Sequence, residues 1–136
     1  MADWGDLVAY IRQTYDVIRY EPDEVRIRVS FARDPEDILG RRQIMVVAHE
    51  ILDQKEDWVQ IATPFARVQE VDLHEVLTEV GNTIVVGGVA LMGDYLVLRH
   101  SLPLINLDIN EFTDPLDLVA SGAEELERRF TGRDEY

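Results

Sequence analysis

A chain of 136 residues that is 46% hydrophobic supplies a single domain, residues 1–136, with enough apolar material for a core of its own. It has no cysteine, which excludes disulfides and thiolate metal sites. Asp and Glu number 27 against 13 basic residues, a net charge of −14, and such a surface repels phosphate backbones and anionic lipid headgroups, so neither nucleic acid nor a membrane is an expected partner.

The N-terminal MADWGDLVAY has no basic region ahead of an apolar core, so no secretory signal is expected. The longest apolar run, 84–93, falls short of the roughly 20 residues a bilayer demands. A cytoplasmic protein is the expectation. Trp4, Leu7, Val8, Ile11, Tyr15 and Ile18 recur at helical spacing, with Asp3 placed to cap the helix and Asp6 in its first turn. Val25, Ile27, Val29 and Phe31 then alternate with Glu24, Arg26, Arg28 and Ser30, which predicts a strand with one wet face. Residues 32–40 read as an acidic loop.

Residues 42–52 predict a second strand, buried on both faces near 44–48, and a charged turn at 53–57 leads into a third over 58–66. Pro64 lies inside that third strand. Because proline cannot donate to a ladder, it predicts an edge position or a bulge. Over 71–81, Asp72 is set as an N-cap with Glu75 completing a capping box, Val71 and Val76 stand where a hydrophobic staple would, and Gly81 is expected to end the helix. Leu73, Val76, Leu77 and Val80 form its apolar stripe. Two strands follow, over 83–92 and 95–102, joined at Gly93-Asp94, and Gly87-Gly88 predicts a bulge or a close backbone approach. The last helix is predicted over 115–130, with Asp114 as cap, Pro115 first, Val119, Ala123, Leu126 and Phe130 as its stripe, and Gly132 as its stop. Glu124 with Arg128, and Glu125 with Arg129, are spaced to pair along it.

The predicted order is α-β-β-β-α-β-β-α. It implies an α+β fold, an antiparallel five-stranded sheet with three helices packed against it.

Residues that could carry chemistry do not assemble into a reactive centre. In Arg99-His100-Ser101 successive strand side chains point to opposite faces, so His100 is badly placed as a base for Ser101. His49, His74 and His100 form no H-x-H or H-x-x-x-H pair for a metal. The segment DINEFTD, 108–114, superficially matches a calcium loop, but Phe112 occupies a ligand position and no glycine follows. Glu50, Asp53, Glu56 and Asp57 supply carboxylates without a converging histidine, Gly87-Gly88 lacks the spacing and lysine of a P-loop, and Lys55 is the sole lysine. No catalytic residue, metal or cofactor is expected. Arg99 is expected to pair with a carboxylate.

The segment GGVALMGDYLVLRHSLPLINLD, 87–108, resembles the signature region of YbjN-domain proteins, where a short hairpin leads into a strand ending in an Arg-His-Ser-Leu-Pro-like run and then a helix. The element order is similar to that of bacterial type III secretion chaperones. The resemblance implies no enzyme activity. It implies a chaperone-like or regulatory protein, some of this family being described as sensory transduction regulators, that works as an acidic homodimer and holds a segment of a partner protein. Apolar strand surface beyond what three helices cover would mark the partner or dimer surface, and Ile44, Val46, Trp58, Val86 and Val89 are its candidates. A small-molecule sensor with a pocket between sheet and helices, near Trp58 and Gly87-Gly88, is the alternative.

Overall fold

The computed structural model describes residues 3–31 and 41–132; the acidic loop expected at 32–40 lies outside the described residues. Asp3 caps α1 (Trp4–Thr14), its carboxylate accepting from the Asp6 N–H at 2.8 Å. The helix stops at Tyr15, which is extended, and Asp16–Glu21 form a strand, β1, where the apolar spacing had suggested more helix. The correction has a local cause. Val17 and Ile18 are β-branched, and the turn at Pro22-Asp23 lets 16–21 fold back on β2 (Glu24–Phe31) as a hairpin. The sheet therefore has six strands, not five.

Strands β3 (Arg41–Leu52) and β4 (Glu56–Arg67) are joined by a turn in which Asp53 and Gln54 both adopt positive φ and the Lys55 N–H donates to the Leu52 carbonyl. A 3-10 turn over Val68–Glu70 precedes α2 (Leu73–Thr83), whose Asp72 side chain accepts from the Glu75 N–H at 3.1 Å. Gly81 does not end α2; the helix runs two residues further and closes where the Ile84 N–H donates to the Val80 carbonyl. Strand β5 is consequently short (Gly88–Met92), and it forms a hairpin with β6 (Tyr95–Pro103) through Gly93 at φ +63°. Gly87, at φ +101°, lies so close to β6 that a Cβ there would meet the Arg99 carbonyl at 3.1 Å.

Helix α3 (Ile109–Phe130) begins six residues before the predicted start. Asp114 is not its cap, and Pro115 sits within it, removing one rung of the ladder. Two gains offset that rung. The Asp108 N–H donates to Glu111 Oε1 at 3.2 Å, and the early turn buries Phe112 completely at the head of the stripe Leu116, Val119, Ala123 and Leu126. Arg128 hydrogen-bonds Glu125, with Glu124 adding a weaker electrostatic attraction, and Arg129 reaches Glu79 of α2 at 3.1 Å instead of pairing along its own helix.

The sheet runs β1-β2-β3-β4-β6-β5, all antiparallel. Its inner face (Val25, Ile27, Met45, Val47, Ile61, Leu98) is fully buried against Leu7 and Ile11 of α1, Val76 of α2 and the α3 stripe. The strand expected to be buried on both faces is buried on one: Met45 and Val47 are sealed while Ile44, Val46 and Ala48 remain partly open. Pro64 lies in central β4, not at an edge. A bulge between Pro64 and Ala66 absorbs it. On the β3 side, where the Pro64 ladder bond is absent, side chains substitute: Gln43 Nε2 donates to the Pro64 carbonyl (2.7 Å) and to Thr63 Oγ1 (2.8 Å), and Thr63 donates to the Ile44 carbonyl (2.8 Å).

Candidate partner-binding site

All three helices contribute to the core on the inner face, so the outer face of the sheet carries only strand residues among the described part of the chain. Antiparallel pairing fixes what stands there. One row crosses the sheet as Arg26, Val46, Ala62, Arg99 and Gly88; the next has Glu24, Ala48, Gln60 and Ser101. Pro64, Val97 and Ala90 continue the apolar floor in the other direction.

Small residues in the middle and long ones around the rim make this face concave. A hollow of about 610 Å³ lies over Val46, Ala48, Gln60, Ala62, Pro64 and Val97. Arg26, Tyr95 and Met92 bound it. Ala62 and Val97 are 7% and 5% exposed although no helix lies over them, because the rim side chains shade them. Ile44, Val46 and Trp58, three of the residues expected at a partner surface, stand on this face by register. Val86 and Val89 do not; both are partly buried against the core on the helix side. The sequence pattern could not separate them, because a continuous apolar run does not say which parity faces the helices.

The outer-face arginines are mostly engaged. Arg19 pairs with Glu21 (2.6 Å), Arg26 with Glu24 (3.0 Å) and Arg28 with Asp16 (3.6 Å), while Arg67 lies over the Tyr95 ring at 5.2 Å. Arg99 was expected to find a carboxylate and does not: it makes no ion pair or side-chain hydrogen bond to any described residue. Its cross-strand neighbours, Ala62 and Gly88, have no charge to offer. Gln60 and Ser101 beside it also lack side-chain partners among the described residues.

The histidines stay apart. His100 takes the inner parity, opposite Ile61, so Arg99 and Ser101 face away from it, and His74 is exposed on α2. His49 belongs to a cluster the motif reading missed. Its Nε2 lies 2.8 Å from Asp57 Oδ1 and its Nδ1 3.5 Å from Asp23 Oδ1, and the Trp4 ring stacks on it at 5.3 Å and 10°. The Asp57 contact was discoverable: the β3–β4 turn sets Val59 opposite His49, and Asp57 is the diagonal neighbour. The Trp4 contact depends on where α1 docks. Among the described residues no group of three or more His, Asp or Glu side chains is arranged to hold a metal, so Glu50, Asp53, Glu56 and Asp57 do not form a cation site. No described helix is long and apolar enough to cross a membrane. No family model, curated protein or solved structure matches this chain.

Proposed function

We propose that this chain is a non-enzymatic protein-binding module, chaperone-like or regulatory, that holds a segment of a partner protein on its outer sheet face and works as a cytoplasmic homodimer. The observation that carries the reading is that face: concave, apolar-floored and uncovered by any described residue, on a chain whose other surface is strongly acidic. Membership of the YbjN-domain family, with a type III secretion chaperone-like fold, belongs to the same proposal. Its support is the run 87–108 quoted above and the packing of three helices on one side of an antiparallel sheet. The homodimer is supported by apolar side chains left open around the β5 edge, Leu91 at 60% exposure with Leu73 and Leu77 on α2 at 43% and 49%.

A tagged pull-down from the native host's lysate is expected to recover a stoichiometric partner with the wild-type chain and to lose it with Val46→Asp, while light scattering gives the mass of two chains. An empty pull-down from a folded bait overturns the binding reading, and a mass of one chain overturns the dimer. A second reading, a small-molecule sensor, would use the outer-face hollow rather than a pocket between sheet and helices near Trp58 and Gly87-Gly88, and the volume of that hollow falls in the range of ligand pockets of roughly 300–1,000 Å³. A thermal shift with a metabolite, without a protein partner, would select it.

A further inference from the structure

The outer face combines two features that seldom occur together. Its floor is apolar, and beside that floor, opposite Ala62 and two residues along β6 from Val97, stands the partly buried Arg99, with nothing to neutralise its guanidinium among the described residues. A cation held against apolar surface is costly unless it is paired, and water is only a partial substitute at a concave site. Every neighbouring arginine named above has a carboxylate or a ring; among the described residues of this face Arg99 is left over, in a protein with twice as many acidic as basic residues. An anion from outside the described chain completes it. Phosphate fits poorly, because a doubly charged group would enter the field of a −14 protein with Glu24 in the next row. A singly charged carboxylate flanked by apolar groups fits both the guanidinium and the floor.

The geometry of the rows narrows the segment further. An extended chain sends alternate side chains down, about 6.8 Å apart, so residues i, i+2 and i+4 meet the floor together. If residue i+2 lies over Arg99, its neighbours reach apolar surface around Val46, Ala62, Pro64 and Val97. Gln60 and Ser101, beside Arg99 and without side-chain partners among the described residues, are placed to bond the segment's backbone. We propose that the face receives an extended segment with an acidic residue between two apolar ones at spacings of two, and that Arg99 binds its carboxylate. This rests on the protein-binding reading above and names the partner's chemistry.

The test selects a phage-displayed library of random linear peptides against the full chain and against Arg99→Gln, then measures one enriched peptide by fluorescence anisotropy. Enriched sequences should carry Asp or Glu with apolar residues two positions to either side. Arg99→Gln should weaken binding roughly tenfold or more, replacing the peptide's acid by its amide should weaken it similarly, and the two changes together should add little. Since Arg99 has no partner to lose among the described residues, Arg99→Gln should leave the melting temperature within about 2 °C, which separates lost binding from lost folding. Peptides enriched without an acidic residue, or bound equally by Arg99→Gln, overturn the anchor and leave the protein-binding reading standing. No enrichment at all overturns both. A two-chain mass that falls to one chain in Val46→Asp assigns the face to a second copy and overturns the proposal.

Discussion

Tyr15 concentrates several constraints in one side chain. It ends α1, turns the backbone into β1, and packs edge-on against Tyr10 with ring centroids 6.2 Å apart. Burial, then the nearby Tyr10 and Asp117 and a hydrogen bond with Tyr10, push its hydroxyl up to about 12 from its ordinary value near 10. The folded chain therefore keeps this proton through an interval in which the unfolded chain gives it up, and stability falls as pH rises between those two values. Because water still screens the half-buried phenol, the loss attributable to it is no more than about 1–2 kcal/mol. Urea melts at pH 9 and pH 11.5 should show that loss in the wild type and a smaller one in Tyr15→Phe; equal losses refute the assignment. Asp117 is itself held above its ordinary value by burial and by Asp114, and its negative charge beside Tyr15 is one of the groups that disfavour the phenolate.

Among the elements, α1 is fixed to the sheet by a particular contact at its start. Leu7, Val8 and Ile11 are buried, but the helix start is fastened by Trp4, whose Nε1 donates to the Pro22 carbonyl at 2.8 Å while its ring lies on His49. Trp4→Ala should cost about 2 kcal/mol, a fall in melting temperature of roughly 5–10 °C, with Trp4→Phe intermediate because it keeps the stack and loses the hydrogen bond. An unchanged melting temperature in Trp4→Ala refutes the fastening. The same element shows where the sequence stops being legible. Asp3 and Asp72 announced α1 and α2 because a cap is a local device, satisfied within one turn. The strand at Asp16–Glu21 was hidden because Tyr15 and Ile18 also continue the spacing of α1, and only pairing with β2 decides between the two patterns. The start of α3 was misplaced for the opposite reason. The local signal of Asp114-Pro115 was clear, and long-range burial of Phe112 overrode it.

Across the whole molecule, composition exposed the acidity and left its distribution unstated. The arginines at 26, 28 and 99 sit at alternate strand positions with no bias visible along the chain, yet antiparallel register gathers them on the outer face. The outer face was legible in half: of the five candidates, Ile44, Val46 and Trp58 stand on it, and Val86 and Val89 turn inward. Strand order carries a different consequence. β1 to β4 are sequential neighbours, whereas β6 joins β4 only after α2 and β5 have intervened, through pairs such as Ile61 with His100. Nearest-neighbour hairpins close short loops, and that one seam must close a long one, so it should set the folding rate. Pulse-labelled amides of β2, β3 and β4 hairpin pairs should gain protection before those linking β4 to β6, and simultaneous protection would refute that order. Since the outer-face row from Val46 to Arg99 exists only after the seam has zipped, the site is among the last parts of the chain to form. A newly made chain has to finish its sheet before that face exists at all.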